Sequence, residues 1–191
     1  TIHRQRVPLF LRWKKIVTFG ILVPKDPKEA LELDKRNGDH KWAESMKIEI
    51  DGIQDHQTLE FLPPGANPPK GYQYAKLRMI FDVKHDLRRK SRLVIGGHKV
   101  DATGHTVYSS VVQLASVRIL NVIAKSQGLQ CIAGDVGNAY LNAYTEEKVY
   151  VTCGPEFGPE LEGRIAIVRK GLYGLKTSGN IYITPYYTYT V

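Results

Sequence analysis

Apolar and polar positions near the start of the chain follow the spacing of two short helices. Asp26 is followed directly by a proline, and a glutamate lies three residues after Asp26, which is typical of a helix start. The helix that this pattern predicts ends at Asn37-Gly38. Asp39 is positioned to cap a second helix. The apolar residues of this second helix recur at helical spacing: Trp42, Met46, Ile50 and Ile53. We therefore predict that Trp42 anchors the core and does not stack on a ligand.

The middle of the chain has the pattern of a β-hairpin that follows a turn-rich crossing. Residues 62–71 are rich in proline and glycine, which predicts a loop. The residues that follow favour two strands, over 72–84 and 91–100, with a polar connection between them. Paired strands with this spacing predict a hairpin.

The last part of the chain mixes helical and strand patterns. Ser109 or Ser110 can cap a helix that runs to about Gln127, with a predicted buried stripe of Leu114, Val117, Leu120 and Ala124. We predict a short strand at 129–135, a turn or short helix at 137–143, and strands at 148–152 and 164–170. Because helices and strands follow one another without a strict repeat, the predicted fold class is α+β, an antiparallel sheet packed against helices.

Composition narrows the class of protein without identifying it. A chain of 191 residues with 42% hydrophobic residues can bury a core of about one domain. The net charge of +8 indicates a polyanionic partner, and nucleic acid and an anionic membrane surface both qualify. The apolar run at 16–23 is too short to span a bilayer. Cys131 and Cys153 cannot form a disulfide framework, so we expect two buried thiols in a reducing compartment.

Basic residues are concentrated on and around the predicted hairpin, between Lys70 and Lys99, where only Asp82 and Asp86 oppose them. An arginine fork matches phosphate oxygens, so a basic hairpin can grip a nucleic-acid backbone or a triphosphate. A solvated sheet edge that avoids aggregation explains the same residues equally well. The basic members are Lys70, Lys76, Arg78, Lys84, Arg88, Arg89, Lys90, Arg92 and Lys99.

Asp135 is the second candidate, because it closes a predicted apolar strand and is followed by small residues that let a ligand approach the backbone. A single carboxylate is a poor magnesium site, since the ion usually takes one or two carboxylates together with substrate phosphates. An aspartate at such a position is more often a cap or a turn residue. The residues alone leave both alternatives open.

A collinear series of motifs resembles the reverse transcriptases of copia-type LTR retrotransposons. Asp135-Val136 followed by Gly137-Asn138-Ala139-Tyr140-Leu141 is similar to the first catalytic motif of that family. The resemblance extends from about Pro24 to Gly179. Its other segments are Trp42-Ala43-Glu44, Gly71-Tyr72, Phe81-Asp82-Val83-Lys84-His85-Asp86, Lys90-Ser91-Arg92-Leu93-Val94, Gly97-His98, Tyr108-Ser109-Ser110-Val111-Val112, Ser116-Val117-Arg118, Lys148-Val149-Tyr150, Gly154-Pro155-Glu156-Phe157-Gly158 and Gly171-Leu172-Tyr173-Gly174-Leu175-Lys176.

The resemblance implies the fingers and the first part of the palm of a right-hand RNA-directed DNA polymerase. It implies that Asp135 is the first metal-binding carboxylate and that the backbone carbonyl of Val136 contacts a magnesium ion. Tyr140 would lie under the incoming sugar and exclude a 2′-hydroxyl. Arg92 and Lys84 would clamp the triphosphate. The implied partners are template-primer, deoxynucleoside triphosphates and the remainder of a Pol polyprotein (the rest of the palm, the thumb and RNase H), without a membrane, in an intracellular particle or the nucleus.

The sequence also departs from the family pattern. The family completes its metal site with an aromatic-X-Asp-Asp turn, but no aspartate follows Asp135 and no acidic residue follows Glu162. Leu87 replaces the glycine usual in the family after Asp86, so we expect that turn to be strained or altered. We expect residues 1–23 to be a lead-in or foreign flank, 24–180 to be the incomplete polymerase unit, and 181–191 to be a divergent tail.

Three interpretations follow from these departures. The first is an excerpt of a polymerase that is active only within a longer polyprotein and is inactive when isolated. The second is a non-catalytic remnant whose basic hairpin still binds nucleic acid. The third is a decayed element that makes no stable protein, because half a palm leaves sheet edges and an apolar face uncovered.

Overall fold

The computed structural model describes residues 16–97, 100–101, 106–109 and 111–188. Residues 1–15 and 189–191, together with Lys99 and the predicted cap Ser110, lie outside the described residues. Helices and strands are both present and the sheets are largely antiparallel, which confirms the α+β class. In chain order the elements are β1 (Ile16–Thr18), β2 (Ile21–Val23), α1 (Pro27–Asn37), α2 (Lys41–Asp55), β3 (Leu59–Phe61), β4 (Gln73–Tyr74), β5 (Leu77–Val83), β6 (Arg89–Ile95), α3 (Leu114–Ser126), β7 (Val149–Thr152), β8 (Ile165–Val168) and α4 (Ser178–Thr188).

The first helix begins and ends as predicted, but the cap of the second helix is different. Asp39 does not cap α2, because His40 occupies the N-cap position and makes no side-chain cap bond. Asp34 of α1 takes that role, since its carboxylate accepts hydrogen bonds from the backbone N–H groups of Trp42 (3.1 Å) and Ala43 (2.9 Å). Asp34 is only 3% exposed, so these bonds also fix how α1 packs on α2.

Strands β5 and β6 form the predicted hairpin, which packs on α2. Alternation along β6 buries Ser91 and Leu93 and leaves Arg92 partly open on the other face. The buried carboxylate of Glu49 on α2 accepts a hydrogen bond from the backbone N–H of Leu93 at 2.9 Å. Ser45 of α2 and Ser91 share a second buried bond of 2.9 Å. These bonds satisfy the polar groups of β6 that face the helix.

Two details of the hairpin differ from or refine the prediction. The strand expected at 72–84 is divided, because β4 leaves the hairpin and pairs in parallel with β7. In the connection between the two strands, Leu87 has φ +62°. This is the left-handed region, which a glycine adopts at a lower conformational free energy than a leucine does. This conformation agrees with the strain expected where a leucine replaces a glycine.

A second sheet has the strand order β3-β8-β7-β4. Its two C-terminal strands, β7 and β8, confirm the strands predicted at 148–152 and 164–170. The core lies between α2 and the hairpin, and it continues into the buried face of this sheet. Trp42 is fully buried there, edge-on to Phe81 with ring centroids 5.5 Å apart, which confirms its predicted role as an anchor.

The region of α3 departs most from the prediction. The helix forms, but it begins at Leu114, several residues after Ser109, with Gln113 at its N-cap. Its expected stripe is exposed except at Ala124, since Leu114 and Leu120 are each 63% exposed. The strand expected at 129–135 does not form, and Ile132 is 95% exposed. A strand needs a partner for its ladder and an apolar helix face needs a cover, and the described residues supply neither here.

No helix among the described residues is long and apolar enough to cross a membrane.

The environments of the two cysteines differ, contrary to the expectation that both are buried. Cys131 is exposed, because it lies in the segment that forms no strand. Cys153 is buried, and loss of hydration raises the pKa of its thiol to about 11, with a further contribution from the charge of Glu156.

We predict that a disulfide reagent such as Ellman's reagent at pH 8 modifies Cys131 rapidly and Cys153 only after unfolding. The thiolate is the reactive form, and a raised pKa leaves Cys153 protonated at that pH. Absorbance of the released thiolate, followed with and without denaturant, measures both rates. Equal rates at the two cysteines in the native protein would contradict the prediction.

We predict that Asp34→Ala lowers the free energy of unfolding by about 1–3 kcal/mol, because two N–H groups at the start of α2 lose their acceptor. Urea unfolding followed by far-UV circular dichroism measures the change. Glu32→Ala is the matched control, since that carboxylate lies on the same helix but is 66% exposed and makes only a loose pair with Arg36. Its effect should stay below about 0.5 kcal/mol.

Candidate functional site

A tight turn at residues 171–175, here called the 171–175 turn, lies between β8 and α4 in the chain and packs against the end of the hairpin. The backbone carbonyl of Tyr173 accepts a hydrogen bond from the N–H of Ile95 at the end of β6 (2.7 Å). On the other side, the hydroxyl of Ser178 accepts from the N–H of Leu172 (3.1 Å) and donates to its carbonyl (2.8 Å). The turn is therefore held at both ends.

Glycines allow the backbone of this turn to approach its neighbours closely. A Cβ atom at Gly97 would overlap the carbonyl oxygen of Gly174, and one at Gly174 would overlap the carbonyl oxygen of Ile95. Gly174 also has φ +95°, which disfavours any other residue. A Cβ atom at Gly171 would lie 2.8 Å from the carbonyl oxygen of Tyr140. The turn thus contacts both β6 and the 3₁₀ turn Ala139–Asn142. The presence of this 3₁₀ turn confirms the turn or short helix predicted at 137–143.

Two of the predicted site residues meet across this turn. The guanidinium carbon of Arg92 lies 5.6 Å from the centroid of the Tyr173 ring, a cation–π contact. Tyr173 also contacts Tyr140 in an edge arrangement, with ring centroids 5.3 Å apart. Tyr140 in turn contacts Tyr182 of α4, with centroids 6.3 Å apart. Arg92 and Tyr140, which are far apart in sequence, therefore share one aromatic neighbour.

Lys84 is engaged elsewhere on the hairpin. Its ammonium group lies 2.8 Å from the carboxylate of Asp82. The hydrogen bond from Lys84 lowers the pKa of Asp82, and the backbone N–H of Val83 and the charge of Arg92 act in the same direction. Arg92 pairs with Ile80 in the ladder, and Asp82 lies two residues from Ile80, so Arg92 and Asp82 lie on the same face of the hairpin.

The structure leaves Asp135 exposed. It lies in a segment without helix or strand, and the neighbouring Val136 is 52% exposed. Among the described residues no three His, Cys, Asp or Glu side chains cluster as metal ligands. A carboxylate and a backbone carbonyl from two exposed residues can supply part of the oxygen shell of a magnesium ion, which prefers to retain waters and substrate phosphates.

Sequence reasoning did not single out Tyr173 or the glycines that position it. All of them lie within segments quoted for the family resemblance, but no role was assigned to them. The local signal was an aromatic residue two positions after one glycine and directly before another, which is typical of a tight turn that presents a ring. The partner of that turn is distant in sequence and could not be read from the same signal.

Comparisons with known proteins agree with the motif series. Residues 66–188 match the family described as reverse transcriptase (RNA-dependent DNA polymerase). The chain is 30% identical over 163 residues to the retrovirus-related Pol polyprotein from transposon TNT 1-94 of Nicotiana tabacum, a match that covers 80% of this chain and 12% of the relative. It is 27% identical over 172 residues to the Pol polyprotein from transposon RE2 of Arabidopsis thaliana, covering 86% of this chain and 11% of that relative. No solved structure matches the chain.

The chain thus spans about 12% of the length of the polyprotein from Nicotiana tabacum that it resembles.

We predict that Gly97→Ala separates the 171–175 turn from β6 and lowers the free energy of unfolding by about 2–3 kcal/mol, because the added methyl group would overlap a backbone oxygen that cannot rotate away. Thermal unfolding followed by circular dichroism measures the loss. Gly134→Ala is the matched control, since nothing lies within 4 Å of its Cβ position. Similar stabilities of the two variants would refute the close contact.

Proposed function

Since the chain belongs to the reverse transcriptase (RNA-dependent DNA polymerase) family, we propose that it forms the fingers and the beginning of the palm of a right-hand polymerase within a copia-type Pol polyprotein. Residues 24–180 form this unit, between a lead-in at 1–23 and a divergent tail at 181–191. The observation that carries the proposal is the meeting of Arg92 and Tyr140 across Tyr173. It joins the hairpin to the motif that contains Asp135.

The hairpin supplies the side chains that bind the triphosphate. Arg92 is directly opposite Ile80 in the ladder, and Arg78 follows on the same open face. A guanidinium has five N–H donors, so Arg92 can remain stacked on Tyr173 and still donate to phosphate oxygens. Lys84 adds positive charge nearby once it exchanges Asp82 for a phosphate. Tyr140 lies beneath the sugar and disfavours a 2′-hydroxyl.

Asp135 and the carbonyl of Val136 hold magnesium together with groups outside this chain. Two bound magnesium ions would stabilise the attacking 3′-oxygen and the leaving pyrophosphate. Both residues are exposed, which leaves room for waters and phosphates in the coordination shell. The aspartate pair that completes the site comes from a further part of the polyprotein, so this chain alone does not polymerise DNA.

The exposed apolar surface supports a role within a larger protein. Helix α3 presents Leu114, Ile119, Leu120 and Val122 to solvent on several sides. A helix that is apolar all round is normally buried. We propose that the rest of the palm covers it, and that template-primer and deoxynucleoside triphosphates bind the assembled polymerase inside the cell.

A second candidate function is nucleic-acid binding without catalysis. It is favoured by the open basic face of the hairpin and by the finding that no three potential metal ligands cluster among the described residues. Under this alternative the chain binds nucleic acid through phosphate contacts, and its affinity falls steeply with salt.

We predict that Asp135→Ala abolishes primer extension by a polypeptide that joins this chain to the remainder of a copia-type Pol polyprotein, because one magnesium ligand is lost. Incorporation of labelled deoxynucleotide on an RNA template measures the activity. Asp55→Ala removes an exposed carboxylate at the end of α2 and should retain activity.

Binding of template-primer should remain salt-dependent in Asp135→Ala, since the phosphate contacts come from the basic hairpin. Extension by Asp135→Ala at the rate of the unchanged polypeptide would refute the polymerase proposal. Salt-dependent binding without extension in the unchanged polypeptide would favour the second candidate.

A further inference from the structure

We propose that Tyr173 is a positioning residue that fixes the guanidinium of Arg92 for triphosphate binding, an inference that rests on the proposed function. Tyr173 does not need to touch the nucleotide for this role. The centroid of its ring lies 5.6 Å from the guanidinium carbon of Arg92 and 5.3 Å from the ring centroid of Tyr140. One side chain thus contacts both the residue proposed for the phosphates and the residue proposed for the sugar.

The backbone around Tyr173 makes it suited to hold another group in place. Its carbonyl is bonded to the N–H of Ile95, and both backbone groups of the preceding Leu172 are bonded to the hydroxyl of Ser178. The following Gly174 is packed against the carbonyl of Ile95. A ring carried by so constrained a turn has few alternative positions.

A second layer of contacts supports the same turn from α4. The buried carboxylate of Glu147 accepts hydrogen bonds from the backbone N–H of Thr177 (3.2 Å) and from its hydroxyl group. Thr177 directly precedes α4, so these bonds hold the start of the helix that carries Ser178. Glu147, Thr177 and Ser178 are all buried, which keeps water from competing for the bonds.

Arg92 needs such a partner because a competing one is close. Asp82 lies diagonally across the ladder from Arg92, on the same face, and the charge of Arg92 contributes to the lowered pKa of that carboxyl. Without the Tyr173 ring, the guanidinium is free to turn toward the carboxylate, where its charge and its donors are used locally. The aromatic contact holds Arg92 away from Asp82 without occupying its hydrogen-bond donors.

The test measures binding of deoxythymidine triphosphate with Mg²⁺ to the full 191-residue chain by equilibrium dialysis. Tyr173→Leu should raise the dissociation constant about fivefold, the loss expected for one cation–π contact. Tyr173→Phe keeps the ring and should bind like the unchanged chain. Thermal unfolding midpoints establish that each variant is folded before its binding is compared.

A double-mutant cycle separates positioning from simple packing. If Tyr173 acts through Arg92, then Tyr173→Leu has no further effect once Arg92→Gln is present. Additive losses in the double variant, or unchanged binding in Tyr173→Leu, would overturn the positioning role while leaving Arg92 as a nucleotide ligand.

The proton resonance of the Arg92 Nε–H group gives a readout that needs no nucleotide. The ring current of Tyr173 should shift it, Tyr173→Phe should keep the shift and Tyr173→Leu should remove it. If the shift is present but the chain binds no triphosphate, the nucleotide site of the proposed function is wrong. Tyr173 then does not position Arg92 for a nucleotide, although the contact between the two side chains stands. An unshifted resonance in the unchanged chain would overturn the inference directly.

Discussion

Direct backbone contact between the 171–175 turn and the end of β6 is the constraint on which the site depends. Gly97 and Gly174 have no side chains, so carbonyl groups of the two segments can lie where Cβ atoms would otherwise be. The hydrogen bond from Ile95 to Tyr173 then fixes the register of the contact. The same turn also packs against the 3₁₀ turn that carries Tyr140, so it links the hairpin with Tyr140.

The hairpin can present charge on one face because its other face is firmly attached to α2. Glu49 satisfies a backbone N–H of β6 from the helix and lies 3.6 Å from Lys90, so a buried carboxylate is neutralised by a neighbouring ammonium group. Asp34 performs a comparable role at the start of α2. In both places a carboxylate from one element satisfies backbone groups of another, which makes the relative positions of the elements specific as well as stable.

Burial is divided unevenly between the two parts of the described chain. The part built from α1, α2, the hairpin and the four-stranded sheet has a continuous core. The part that contains α3 and Asp135 presents apolar side chains to solvent, and no three potential metal ligands cluster anywhere among the described residues. This contrast agrees with the proposed function. In that proposal Arg92 and Tyr140 lie in the part with its own core, and the metal site needs residues from elsewhere in a polyprotein.

The sequence by itself determined several of the elements and the family. Capping residues placed α1, and periodicity placed α2, the hairpin strands and Trp42, since these depend on local spacing and on a core that the chain itself supplies. The motif series indicated the reverse transcriptase family, and the comparisons confirmed it. The roles of Asp135, Val136, Tyr140, Arg92 and Lys84 stay predictions.

Only the tertiary structure decided which partners these elements find. The replacement of Asp39 by Asp34 as the cap of α2, the separation of β4 from the hairpin and the exposure of the α3 stripe all depend on residues distant in sequence. The meeting of Arg92 and Tyr140 at Tyr173 does so as well. Spacing along the chain shows which side chains are apolar and which of them share a face of a helix or strand. A contact between two such faces also requires that the backbone bring them together. The path of the backbone is a property of the whole fold.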